Sequence, residues 1–204
     1  MEISTLSAIK TASSLGKSLK EFAAKSRTEK VLNQLENNGV TLDEAKIKDP
    51  YYVGCLLRTL DAFERASIKE KLDVLVCFFT TCDNSGFIQQ RPDFYQEILS
   101  LIDEMSIREM QILYMMESEG LPYIDDDVVK NPSNRNNCSQ TYASILLTTS
   151  IKMKLSEDML IALLVRLNRT GLLVTSVKWE RNIYFFSPLF RDLKKFISIN
   201  YYGL

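Results

Sequence analysis

Histidine is absent from all 204 residues. That removes the commonest general base and makes Ser–His or Cys–His activation of a nucleophile impossible. P-loop, dinucleotide-binding and HExxH patterns are missing as well, so the sequence offers no catalytic residue, no cofactor site and no small-molecule substrate. Glycine and proline are scarce, seven and five residues, which favours helices over a many-turned β fold. The four cysteines, Cys55, Cys77, Cys82 and Cys138, form no CxxC pair, so a zinc site of ordinary spacing is excluded. Cys55 and Cys77 lie inside apolar helical runs, where a thiol acts as a small hydrophobe, and free thiols fit a cytoplasmic protein. No run reaches the roughly 20 apolar residues that span a bilayer. The stretch around Lys10, Lys17 and Lys20 lacks the apolar core of a secretory signal.

Charge is nearly balanced overall, with 25 basic and 26 acidic side chains, but not along the chain. Residues 97–150 carry three basic against nine acidic side chains, and residues 151–204 carry nine basic against four acidic. Two readings follow: a basic C-terminal face that attracts phosphate, or two neighbouring segments that attract each other. The second is preferred, because nucleic-acid modules carry a larger excess. The acidic run Asp125-Asp126-Asp127 has the chemistry to bind magnesium or calcium. Among Pro122, Pro132 and several asparagines it reads instead as a solvated turn, so no metal site is assigned.

Helical punctuation dominates the first half. Residues 3–37 read as an amphipathic helix, with Ala8, Ala12, Leu15, Leu19, Phe22 and Ala23 on one side and Lys10, Lys17, Lys20 and Lys25 on the other. Docking onto protein is preferred over a membrane surface for so alanine-rich a face. Val31, Leu32 and Leu35 continue it, and Asn37-Asn38-Gly39 ends it. Capping-box spacing occurs at Thr41–Glu44 and Ser67–Glu70, the second launching a helix over Lys71–Cys82 with Leu72, Leu75, Val76 and Phe79 inward. Asp49-Pro50 pairs an N-cap with a first-turn proline, opening a helix to about Arg65 whose Val53, Leu56, Leu57, Leu60 and Phe63 share a face. Asp83–Gly86 reads as a loop. Arg91-Pro92 begins a further helix to about Glu104, with Phe94, Ile98, Leu101 and Ile102 inward. These residues define a helical domain, 1–104.

From Met105 to Leu204 the order changes. Ser106–Gly120 is a capped helix, Leu121–Asn137 a polar connector with a short β piece at Tyr123–Ile124 or Val128–Val129, and Gln140–Thr149 a helix. Ser156–Gly171 is a second capped helix, followed by strands at Leu172–Val177 and Asn182–Ser187 and a helix opened by Ser187-Pro188. This order resembles the winged helix-turn-helix superfamily at fold level, over about half the chain. The resemblance implies a winged-helix-like unit with a two- or three-stranded β-hairpin wing; with the helical first half, the expected fold is mainly α, an N-terminal helical bundle packed on that unit. It also suggests duplex DNA as a partner, read by the second helix of the helix-turn-helix.

The residues in that helix argue otherwise. Its first turn carries Glu157 and Asp158, unfavourable against phosphate-lined DNA. Its body, Met159–Val165, is apolar on every side, as in helices buried all round. Arg166 and Arg169 suit the helix C-terminus, and Lys152, Lys154, Lys178 and Arg181 suit solvated turns. Trp179 is read as packing on the hairpin rather than stacking on a partner. Together these seven are the candidate contacts to a partner or to a nucleic-acid backbone.

A second resemblance rests on the helical block Asp49–Glu104 leading into Met105-Ser-Ile-Arg-Glu-Met-Gln-Ile-Leu113. It is similar to bacterial abortive-infection-type helical proteins, which implies a cytoplasmic role in phage defence. The functional expectation is a non-catalytic interaction module whose partner is another protein or a second copy. The alternative is a DNA-binding regulator using the basic C-terminal segment.

Overall fold

Val31, Leu32 and Leu35 are buried on helix α1 (Ser26–Asn37), whose end is closed where Gly39 adopts φ +85° and the Val40 N–H donates to the Leu35 carbonyl at 3.0 Å. This reversal needs a residue tolerant of the left-handed region. The structure, a computed structural model, describes residues 26–126, 135–178 and 181–197. The amphipathic stretch 3–25, Val128–Val129, Asp127 and Trp179 lie outside the described residues. Ten helices and one two-stranded antiparallel sheet occur among those described. The chain divides between Glu104 and Met105 into two units.

In the first unit, α2 (Glu44–Lys48) is capped by Asp43, whose carboxylate accepts from the Lys46 N–H at 2.8 Å. The cap expected at Thr41 therefore sits two residues later, where Asp43 has the extended backbone that capping requires. Asp49 caps α3 (Pro50–Arg65) as its sequence dictates, accepting from the Tyr51 N–H at 2.9 Å. Helix α3 is the hub: α1, α2, α4 (Lys69–Asn84), α5 (Phe87–Gln90) and α6 (Pro92–Glu104) all pack against it. That position explains why Tyr52, Val53, Cys55, Leu56, Thr59, Leu60, Ala62 and Phe63 are all buried on it.

Other details differ from the sequence reading. The capping box at Ser67 does not form, because the chain stays extended through Ile68 and α4 starts at Lys69 without a side-chain cap. Helix α4 also continues through Asp83 to Asn84, consuming half of the expected loop, and a short α5 follows Gly86. Finally, α6 turns Tyr95, Ile98, Leu99 and Ile102 inward, while Phe94 and Leu101 are only half-buried. The face is rotated because Tyr95 stacks on Phe78 at 4.9 Å and shares a 2.5 Å hydrogen bond with Thr59.

The second unit begins with α7 (Ile107–Ser118), opened by a complete capping box between Ser106 and Glu109. Gly120, at φ +87°, ends it, and the Leu121 N–H reaches back to the Met116 carbonyl at 2.9 Å. Then come α8 (Arg135–Met153), α9 (Glu157–Arg169), strands β1 (Leu173–Lys178) and β2 (Arg181–Phe186), and α10 (Pro188–Phe196). The strands pair in antiparallel register from Leu173–Phe186 to Lys178–Arg181. Tyr123 adds a single parallel bridge to Phe186, so the β piece expected at Tyr123–Ile124 is present as one bridge. Phe186 and Phe190 stack at 4.4 Å beneath Tyr123, and the Tyr114 hydroxyl donates to the Ile197 carbonyl at 2.6 Å, docking α10 on α7.

Both cores carry buried tyrosines, and this sets an alkaline limit. Burial, and then Asp83, pushes the Tyr52 phenol up; burial also raises Tyr95, Tyr142 and Tyr184. Burial, with Glu117 beside it, pushes Tyr123 up to about 12. Each folded value lies above that of the unfolded chain, so the stabilisation is complete below about pH 10 and is lost as pH rises toward and through the folded values. We expect tyrosinate absorbance of the four buried phenols, Tyr52, Tyr95, Tyr142 and Tyr184, to rise only together with loss of the helical circular dichroism signal, above about pH 10. Smooth ionisation of all nine tyrosines with the helices intact would contradict the burial.

Candidate interaction surface

Ser156 starts α9 by accepting from the Met159 N–H, and Glu157 and Asp158 occupy the first turn, where the helix dipole favours carboxylates. Arg166 and Arg169 occupy the last turn. Leu160, Leu164 and Leu167 are buried, and α8 and β1 are the helix's main neighbours. The expectation that Met159–Val165 is buried all round is overturned. Met159, Ile161 and Val165 are 49, 39 and 38% exposed, and Ala162 is exposed between them. The reason is that packing claims only one face, so the apolar residues on the other face remain in water. Helix α8 shows the same pattern, with Leu147 and Ile151 62 and 66% exposed, one turn apart. Single exposed apolar residues are ordinary on protein surfaces; here several lie along each of two neighbouring helices.

Two of the basic candidates have acidic partners within the chain. The Arg166 guanidinium grips Glu109, with Nε 2.9 Å from Oε1 and Nη2 2.9 Å from Oε2. Glu109 itself is buried and also accepts from the Ser106 N–H and hydroxyl, each at 2.8 Å. Arg166 thus clamps α9 to the start of α7. Lys152 pairs with Glu119 at 2.5 Å. Lys154 is exposed and sits at φ +51°, where the chain reverses out of α8. Arg169 is exposed and has no ion-pair partner among the described residues. Lys178 and Arg181 are register partners at the end of the hairpin.

Other clusters have structural partners. Arg191 holds Asp125 with two hydrogen bonds, at 2.8 and 2.9 Å, and lies over the Tyr123 ring at 4.2 Å. Asp126 accepts from the Tyr123 N–H at 2.8 Å, so the described part of the acidic run is a pinned turn. In the first unit, buried Asp83 accepts from Tyr52 at 2.9 Å, and the Lys46 ammonium lies 2.8 Å from its Oδ1. Sequence reading missed Tyr52–Asp83, Arg166–Glu109 and Arg191–Asp125 because each joins residues 31 or more positions apart. Among the described residues, no group of three or more cysteine, aspartate or glutamate side chains is placed to hold a metal ion. No described helix is long and apolar enough to cross a membrane. Cys55 and Cys82 are buried free thiols that burial raises above the ordinary range, and Cys77 is half-buried. No protein-family model, curated protein or solved structure matches the chain.

Proposed function

We propose that residues 105–204 form a winged-helix-like module that binds protein, not a catalyst, and that α9 presents its docking face. The observation that carries this is the exposed apolar set Ile161, Ala162 and Val165 along one side of a helix that begins with two carboxylates. The order of α7, the Tyr123 bridge, α8, α9, the hairpin and α10 supports the winged-helix reading. A cytoplasmic assembly, such as one in phage defence, is a setting that fits such a module. The alternative is a DNA-binding regulator using Arg169 with Lys152, Lys154, Lys178 and Arg181. It is weakened by the Lys152–Glu119 and Arg166–Glu109 pairs, which already use two of the basic candidates.

Two measurements separate the readings. A photo-crosslinking residue at Val165 should yield protein adducts in the native host, and one at Tyr51, exposed in the other unit, should not. Nucleic-acid adducts, or duplex DNA binding that weakens steeply as salt rises, would establish the alternative instead. An absence of any adduct specific to Val165 would remove the docking face.

A further inference from the structure

The outward surface of α9 has an order that suits one occupant in particular. At about 100° per residue, Asp158, Ala162, Val165 and Arg169 fall within about 60° of one another on the helix wheel. All four are exposed. Read from either end, the stripe has charge, apolar, apolar, charge at spacings of four, three and four, with the charge reversed. Turning one copy end over end therefore sets Asp158 opposite Arg169 twice and Ala162 opposite Val165 twice. Among the described residues neither Asp158 nor Arg169 has an ion-pair partner within the chain. Arg166, held by Glu109, is off to one side of the stripe, while Ile161 widens its apolar centre on the other. The small Ala162 side chain lets two helices approach closely.

From this we infer that a second copy of the chain docks on α9, the two helices running antiparallel about a two-fold axis between Leu163 and Leu164. The inference rests on the docking-face reading above and names its partner. Such an interface is isologous, each patch meeting itself, and carries its own opposite charges for register. A helix of 13 residues offers about 20 Å of length. One such helix pair buries less than the roughly 800 Å² per partner of a stable complex. The dimer is thus reversible and concentration-dependent.

Sedimentation of the full chain over a wide concentration range tests this. Wild type is expected to show a monomer–dimer equilibrium. Asp158→Arg and Arg169→Asp each replace two attractions with two repulsions, and each should weaken the dimer about tenfold or more. The double variant, Asp158→Arg with Arg169→Asp, should recover the wild-type constant. Both changes oppose the helix dipole, so recovery in the double variant arises only from the intermolecular pairs. Ala162→Glu, at an exposed position in the middle of the stripe, should abolish the dimer without altering the circular dichroism of the monomer. A wild type that is monomeric throughout, a dimer that survives Ala162→Glu, or a double variant no better than the singles would each overturn the inference. Monomeric protein that still forms Val165 adducts with another protein would leave the docking-face reading standing. Absence of both would remove the two together.

Discussion

Phe186→Ala should destabilise the second unit by about 3–5 kcal/mol, more than any single change on its surface. Phe186 is fully buried, stacked on Phe190 at 4.4 Å and tilted against Tyr123 at 5.3 Å. Its backbone is also the junction of the fold. The Phe186 N–H donates to the Pro122 carbonyl at 3.0 Å, the Ile124 N–H donates to the Phe186 carbonyl at 2.9 Å, and Leu173 is its strand partner. Alanine keeps those backbone bonds but opens a cavity where the connector, the hairpin and α10 converge. Urea unfolding followed by circular dichroism would report the loss. Met159→Ala is the control: at a site 49% exposed, the change should be within about 0.5 kcal/mol. A loss below about 1 kcal/mol for Phe186→Ala would mean that the ring stack does not hold the unit together.

The parts of this fold that were legible in the sequence are those decided locally. Asp49-Pro50, Ser106–Glu109, Ser156 and Ser187-Pro188 each cap a helix at the expected residue, because a cap involves side chain and backbone only two or three positions apart. Caps failed where the backbone did not take the capping conformation at the expected residue: Ser67 had the right spacing, yet α4 starts at Lys69 after an extended Ile68. The candidate surface was half legible. Composition gave the apolar body and acidic start of α9, but not which side neighbours would cover. An all-round apolar helix implies burial only if enough partners exist, and α8 and β1 bury one face. Which cations are already engaged was out of reach, since Glu109 and Arg166 are 57 positions apart.

That last pair supports the second large prediction. Glu109→Ala should lower the stability of the second unit by about 2–4 kcal/mol, since it removes a buried carboxylate that accepts from the Ser106 N–H, the Ser106 hydroxyl and Arg166. The lost capping box accounts for about 1 kcal/mol of that. Arg166→Ala should also destabilise, because it leaves the buried Glu109 charge without its cation, whereas Arg166 itself is 58% exposed and can be solvated if left alone. Glu109→Ala should therefore make Arg166→Ala nearly silent, and the cycle should return a coupling of about 1–3 kcal/mol. Arg166 then differs in kind from its neighbour Val165. Substitution of Arg166 should impair partner binding only as far as it unfolds α9, whereas Val165→Asp should abolish binding with stability nearly unchanged. If Arg166→Ala is equally costly with and without Glu109, the guanidinium is not a clamp.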